Sequence, residues 1–181
     1  IVQYNYVTNT DSDDSSGGHG THVCGTVLGM ESSSSGSDVG LYAGVAPMAK
    51  LAFMDMVQGS GDSLNPPDTT DGLYSPGYAA GARVHTNSWG GEFQDGNGYY
   101  TEAETDKWLY DHTDHLIMFA GGNSGGDTEY KQSMQAQAKN VVSIGATETA
   151  AGKIGSMAYF SSIGPAANGR IKPDISAPGH P

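Results

Sequence analysis

Basic side chains are what this 181-residue chain most lacks: 8 lysines and arginines face 20 aspartates and glutamates, a formal charge of −12. With no Lys/Arg cluster to neutralise phosphates, nucleic-acid binding is excluded as its business. Cysteine is nearly absent. The single Cys24 excludes an internal disulfide, and its place in an apolar run predicts a buried small hydrophobe. No stretch reaches the ~20 apolar residues of a membrane helix. Charged residues are only 15% of the chain, whereas glycine contributes 27 residues. That composition belongs to a loop-rich globular protein, not a disordered or fibrous one.

What is present alternates in type. Residues 1–7 read as a strand, 23–30 as a short helix and 31–40 as a Ser/Gly loop. Residues 49–57 read as a strand, 59–72 as a polar loop, 74–82 as a short helix and 83–89 as a strand. Thr101 and Glu104 match the S/T-x-x-E capping box and predict a helix over 101–112. Residues 116–120 form a compact apolar strand, 129–139 are weakly helical and 141–146 form another buried strand. Alternating strands and helices predict an α/β sheet covered by helices on both faces. No repeat or linker divides the chain.

In such sheets, function gathers where strands end and helices begin. Three Gly-rich polar segments sit at those places: Gly17-Gly-His19-Gly-Thr-His22, Asn87-Ser-Trp-Gly-Gly91 and Ala120-Gly-Gly-Asn-Ser-Gly-Gly126. A histidine at a loop-to-helix junction suits general base work, because imidazole titrates near neutrality. Taken as an isolated motif, His19 and His22 equally fit a pair of structural histidines. Gly90, Gly91, Gly121 and Gly122 by themselves also fit turn geometry.

The order of six segments resembles the subtilisin-like serine proteases (subtilases). They are His19-Gly-Thr-His-Val23, Asn87-Ser-Trp-Gly-Gly91, Phe119-Ala-Gly-Gly-Asn-Ser-Gly125, Val141-Val-Ser-Ile-Gly-Ala146, Phe160-Ser-Ser-Ile-Gly-Pro165 and Arg170-Ile-Lys-Pro-Asp-Ile-Ser-Ala-Pro-Gly179. The stretch Tyr78-Ala-Ala-Gly-Ala-Arg-Val-His-Thr-Asn-Ser-Trp-Gly90 looks most like the oxidatively stable alkaline subgroup. The resemblance implies a three-layer subtilisin-like α/β fold with a mostly parallel central sheet and helices on both faces. It implies His19 as general base and His22 as a structural neighbour. Asn123 is then the oxyanion-hole donor. Ser88, Trp89 and Gly90 become the strand that pairs with substrate backbone, and Ala120, Gly121 and Gly122 a second wall, of a pocket roomy enough for large apolar side chains. The partners it implies are a polypeptide substrate and a propeptide in the parent protein, with secretion from the cell. The chemistry requires no cofactor. Structural calcium is common in the family, but the acidic loops at 11–14 and 62–71 lack EF-hand-like spacing, so no ligands are assigned.

The chain also departs from the family pattern. Nothing before His19 matches the D-[ST]-G segment that carries the catalytic acid; Asp11, Asp13 and Asp14 lie in a Ser/Asp/Gly loop and read as solvated. The chain stops two residues after Ala177-Pro-Gly179, before any G-T-S-M-A nucleophile segment. Residues 1–181 therefore read as a partial catalytic domain missing both acid and nucleophile, expected to be inactive alone. Gly155-Ser156-Met-Ala158 lacks the threonine and precedes the A-P-G motif, so Ser156 reads as a loop residue. Gly122-Asn-Ser124-Gly-Gly126 formally matches the G-x-S-x-G elbow of α/β-hydrolases, with Asp174 and His180 following in that order. An esterase using Ser124 and a non-catalytic subtilase-like binding domain are the two alternatives.

Overall fold

In a computed structural model, the described residues are 2–5, 17–30, 43–57, 64–91, 102–125 and 132–180. Two compact units divide the chain, Ile1–Pro66 and Pro67–Pro181.

The first unit pairs β1 (Val2–Asn5) with β2 (Ala52–Asp55) in parallel, Val2 opposite Ala52. Between them in sequence lies α1 (His19–Leu28), which begins four residues before the predicted start. The reason is its cap: Gly18 takes the left-handed conformation at φ 61°, open to glycine at little cost. The backbone N–H of His22 then donates to the Gly18 carbonyl at 2.9 Å. No residue of α1 is buried. Cys24 is accordingly half-buried rather than buried, because the helix's apolar residues are only partly covered. The expected loop at 31–40 and Asp11, Asp13 and Asp14 lie outside the described residues.

The second unit holds a four-stranded, wholly parallel sheet in the order β3 (Val84–Asn87), β4 (Leu116–Ala120), β5 (Val142–Glu148), β6 (Ile175–His180). Ile117 and Phe119 of β4 are fully buried, as the apolar run requires for a strand covered by helices. Helix α2 (Thr70–Ala79) also starts four residues before its predicted start, because the Thr69 hydroxyl accepts the Gly72 N–H at 3.0 Å, an N-cap. It buries Leu73, Tyr74 and Gly77, while α3 (Glu102–Asp111) buries Thr105, Trp108 and Leu109. Thr101, the expected cap of α3, lies outside the described residues. Burial pushes the Tyr74 phenol well above its usual range; its hydroxyl stands 3.3 Å from that of Thr105. Of the weak helical pattern at 129–139, the described part forms one 3-10 turn, Gln135–Gln137.

Strand β6 is absent from the sequence-based expectation, since Pro178 and Gly179 are poor strand formers. It occupies an end of the four-stranded order, pairing Ile144 with Ile175 through Glu148 with His180. Its approach is fastened by the buried Lys172, whose ammonium donates to the Val141 carbonyl at 2.8 Å and to Asp174 at 2.7 Å. The same Asp174 carboxylate oxygen accepts the Ser143 N–H at 2.7 Å.

Candidate functional site

Each unit carries part of the predicted site. In the first, His19 opens α1 with its side chain exposed, behind Gly17 and Gly18, both at positive φ. A glycine-ended helix start places that imidazole by backbone geometry.

In the second unit, the parallel register sets Asn87 of β3 opposite Phe119 of β4. The segments that follow, Ser88–Trp89–Gly90 and Ala120–Gly121–Gly122–Asn123, therefore leave the sheet side by side at its carboxyl edge, where ligands of open parallel sheets bind. Asn87 is buried and anchors both: its Nδ2 donates to the Met118 carbonyl at 3.1 Å, and its Oδ1 accepts the Trp89 indole N–H at 3.1 Å. The Trp89 ring meets Phe119 edge to face at 5.6 Å. Ser88 and Gly90 are exposed.

Behind these two segments runs a stretch that the sequence marks only as weakly helical, with no part in the site. Ser133 donates its N–H to the Gly121 carbonyl at 2.8 Å and its hydroxyl to the Ala120 carbonyl at 2.9 Å. A Cβ on Gly90 would stand 2.6 Å from that of Ser133, so this glycine answers to close approach. Gln132 is buried, accepting the Ser143 hydroxyl at 2.8 Å and donating to the Ser162 carbonyl at 3.1 Å. A Cβ on Gly121 would meet its Oε1 at 3.2 Å.

Asn123 is exposed and lies between two tethered neighbours. Gly122, at φ 119°, accepts the Ser162 N–H at 3.0 Å, and Ser124 donates its N–H to the Ser162 hydroxyl at 3.2 Å. One buried serine thus holds the backbone on both sides of Asn123. The Phe160-Ser-Ser-Ile-Gly-Pro165 motif acquires a physical role: Ser161 accepts the Ala146 N–H at 3.0 Å, and Ser162 brackets Asn123.

The structure does not assemble Ser124, Asp174 and His180 into a relay. Asp174 is engaged by Lys172 and Ser143, and His180 Nδ1 lies 2.9 Å from the buried Glu148 carboxylate. Ser156 sits in the exposed turn after β5, its carbonyl accepting the Glu148 N–H at 2.9 Å. Among the described residues, no group of three or more His, Cys, Asp or Glu side chains is placed to hold a metal ion, and no helix is long and apolar enough to cross a membrane.

A sequence model of the subtilase family matches residues 2–181. The serine protease/ABC transporter B family protein tagB of Dictyostelium discoideum is 40% identical over 150 residues, 80% of this chain and 8% of that protein. The serine protease AprX of Bacillus subtilis (strain 168) is 31% identical over 186 residues, 90% of this chain and 38% of that protein. Among solved structures, sphericase superposes with a TM-score of 0.65 at 24% identity, over 98% of this chain and 58% of its own. The chain therefore spans less than two thirds of the length of each of these proteins.

Proposed function

This chain belongs to the subtilase family, and on that premise we propose that residues 1–181 are part of the catalytic domain of a secreted serine endopeptidase that cleaves peptide bonds through an acyl-enzyme. The observation that carries this reading is the carboxyl edge of β3 and β4, where two Gly-rich segments run side by side and end in Asn123 (side chain exposed, backbone bracketed by Ser162).

The roles follow from chemistry. His19 takes the nucleophile's proton and returns it to the leaving amine. The Asn123 carboxamide donates to the oxyanion that develops on the scissile carbonyl, where a fixed donor needs no reorganisation. Ser88, Trp89 and Gly90 pair with the substrate backbone as an added strand. Ala120, Gly121 and Gly122 form the facing wall, and their small side chains leave room for a large apolar residue. The substrate is a polypeptide, and the parent protein carries a propeptide. No cofactor enters the chemistry. The catalytic acid and the nucleophilic serine lie outside residues 1–181, so this segment alone does not hydrolyse peptides.

The test is to label the full-length protein with a fluorophosphonate and map the modified residue. A single modified serine outside residues 1–181, lost in His19→Ala, is the expected result. Labelling at Ser124, or peptide hydrolysis by the 181-residue segment alone, would overturn the reading.

A further inference from the structure

Gly90 and Gly91 end the segment assigned to substrate pairing, and two glycines in succession have no side chains to hold their backbone. Their order must come from outside. The stretch 132–135 supplies it: Gly91 donates its N–H to Gln135 Oε1 at 3.1 Å and accepts the Met134 N–H at 3.1 Å. Gln135 is only 2% exposed. A carboxamide so deeply placed costs desolvation unless its polar atoms are used, and an apolar side chain would fill the space without that cost. Two residues before it, Ser133 ties to Ala120 and Gly121 of the opposite wall.

We propose that Gln135 is a positioning residue for substrate: its carboxamide fixes Gly91, and through it the Ser88–Trp89–Gly90 edge, in the conformation that a peptide strand pairs with, at a set distance from Ala120–Gly122. The inference rests on the protease reading above. Because Gly91 itself is exposed, losing this bond frees the glycine pair without opening the core.

The experiment compares Gln135→Met with Gln137→Met in the full-length protein. Gln137 is equally buried; its Oε1 accepts the Ala167 N–H at 2.7 Å and its Nε2 donates to the Gln132 carbonyl at 3.4 Å, rather than to Gly91. For Gln135→Met, KM for peptide substrates should rise about fivefold with kcat nearly unchanged, and exchange of the Gly91 amide should quicken about fivefold, the scale of one neutral hydrogen bond. Gln137→Met should leave both readouts in place. Unchanged Gly91 exchange and KM in an active enzyme would overturn the inference alone. So would equal losses in kcat and melting temperature for both variants, which would reduce Gln135 to ordinary core. A full-length protein that hydrolyses no peptide would overturn the protease reading, and the substrate role with it, while Gly91 exchange still reports the bond itself.

Discussion

The two units place their proposed functional side chains by different means. In the first, α1 buries none of its residues, and His19 owes its position to a left-handed glycine cap. In the second, α2 and α3 each bury three residues, and the backbone on both sides of Asn123 is hydrogen-bonded to the buried Ser162, which donates to Gly122 and accepts from Ser124. In the proposed roles, the proton-transfer group is set by the start of a helix, whereas the oxyanion donor, which must not relax as charge develops, is set by hydrogen bonds from its flanking backbone to a buried serine.

The largest effect should separate the two in turnover. In the full-length protein, His19→Ala should lower kcat about 10⁶-fold and Asn123→Ala about 10²–10³-fold; both scales were themselves measured on subtilisin. Similar losses from the two would break the division of labour. Next comes stability. Phe119→Ala should cost about 3–5 kcal/mol, since Phe119 is fully buried. Val23→Ala, on half-buried α1, should cost about 1 kcal/mol or less. Urea unfolding measures both, and equal costs would erase the contrast between the packed sheet of the second unit and the partly covered α1.

Acid should weaken the second unit. Burial, helped by the neighbouring His115, pushes the His85 pKa from 6.5 down to about 4, with Asn87 acting the other way. Tyr74 meets His85 at 5.2 Å and His115 stands 6.0 Å away. His115 is also lowered, by burial and then by His112 and Arg83, against Asp114. Its Nδ1 accepts the Trp108 indole N–H at 2.9 Å, so a proton there would break that bond. As pH falls from 6.5 toward 4, the unfolded chain takes up protons that folded His85 refuses. Stability is therefore complete above the unfolded value and declines through this window, by up to about 3 kcal/mol. Urea midpoints across that range should fall for the native protein and flatten for His85→Gln; an unchanged slope would remove His85 as the cause. The smallest effects are at the caps. Thr69→Ala and Gly18→Ala should each cost about 1 kcal/mol, the first through a lost bond and the second through left-handed strain. Only the second should also lower turnover, because it moves the start of α1.

By itself the sequence determined the alternation of strands and helices, β4 to the residue, and the segments that carry His19, Asn87–Gly91 and Ala120–Asn123. Those signals are local: apolar period, glycine punctuation and side-chain type are properties of neighbouring residues. Tertiary structure alone decided that β6 is a strand despite Pro178 and Gly179, because its ladder with β5 and the Lys172–Asp174 anchor are long-range. It also decided that Gln132, Gln135 and Ser162 are buried behind the two Gly-rich segments. A polar side chain announces no such place in sequence, since its burial is tolerated only when partners far along the chain satisfy every polar atom it brings.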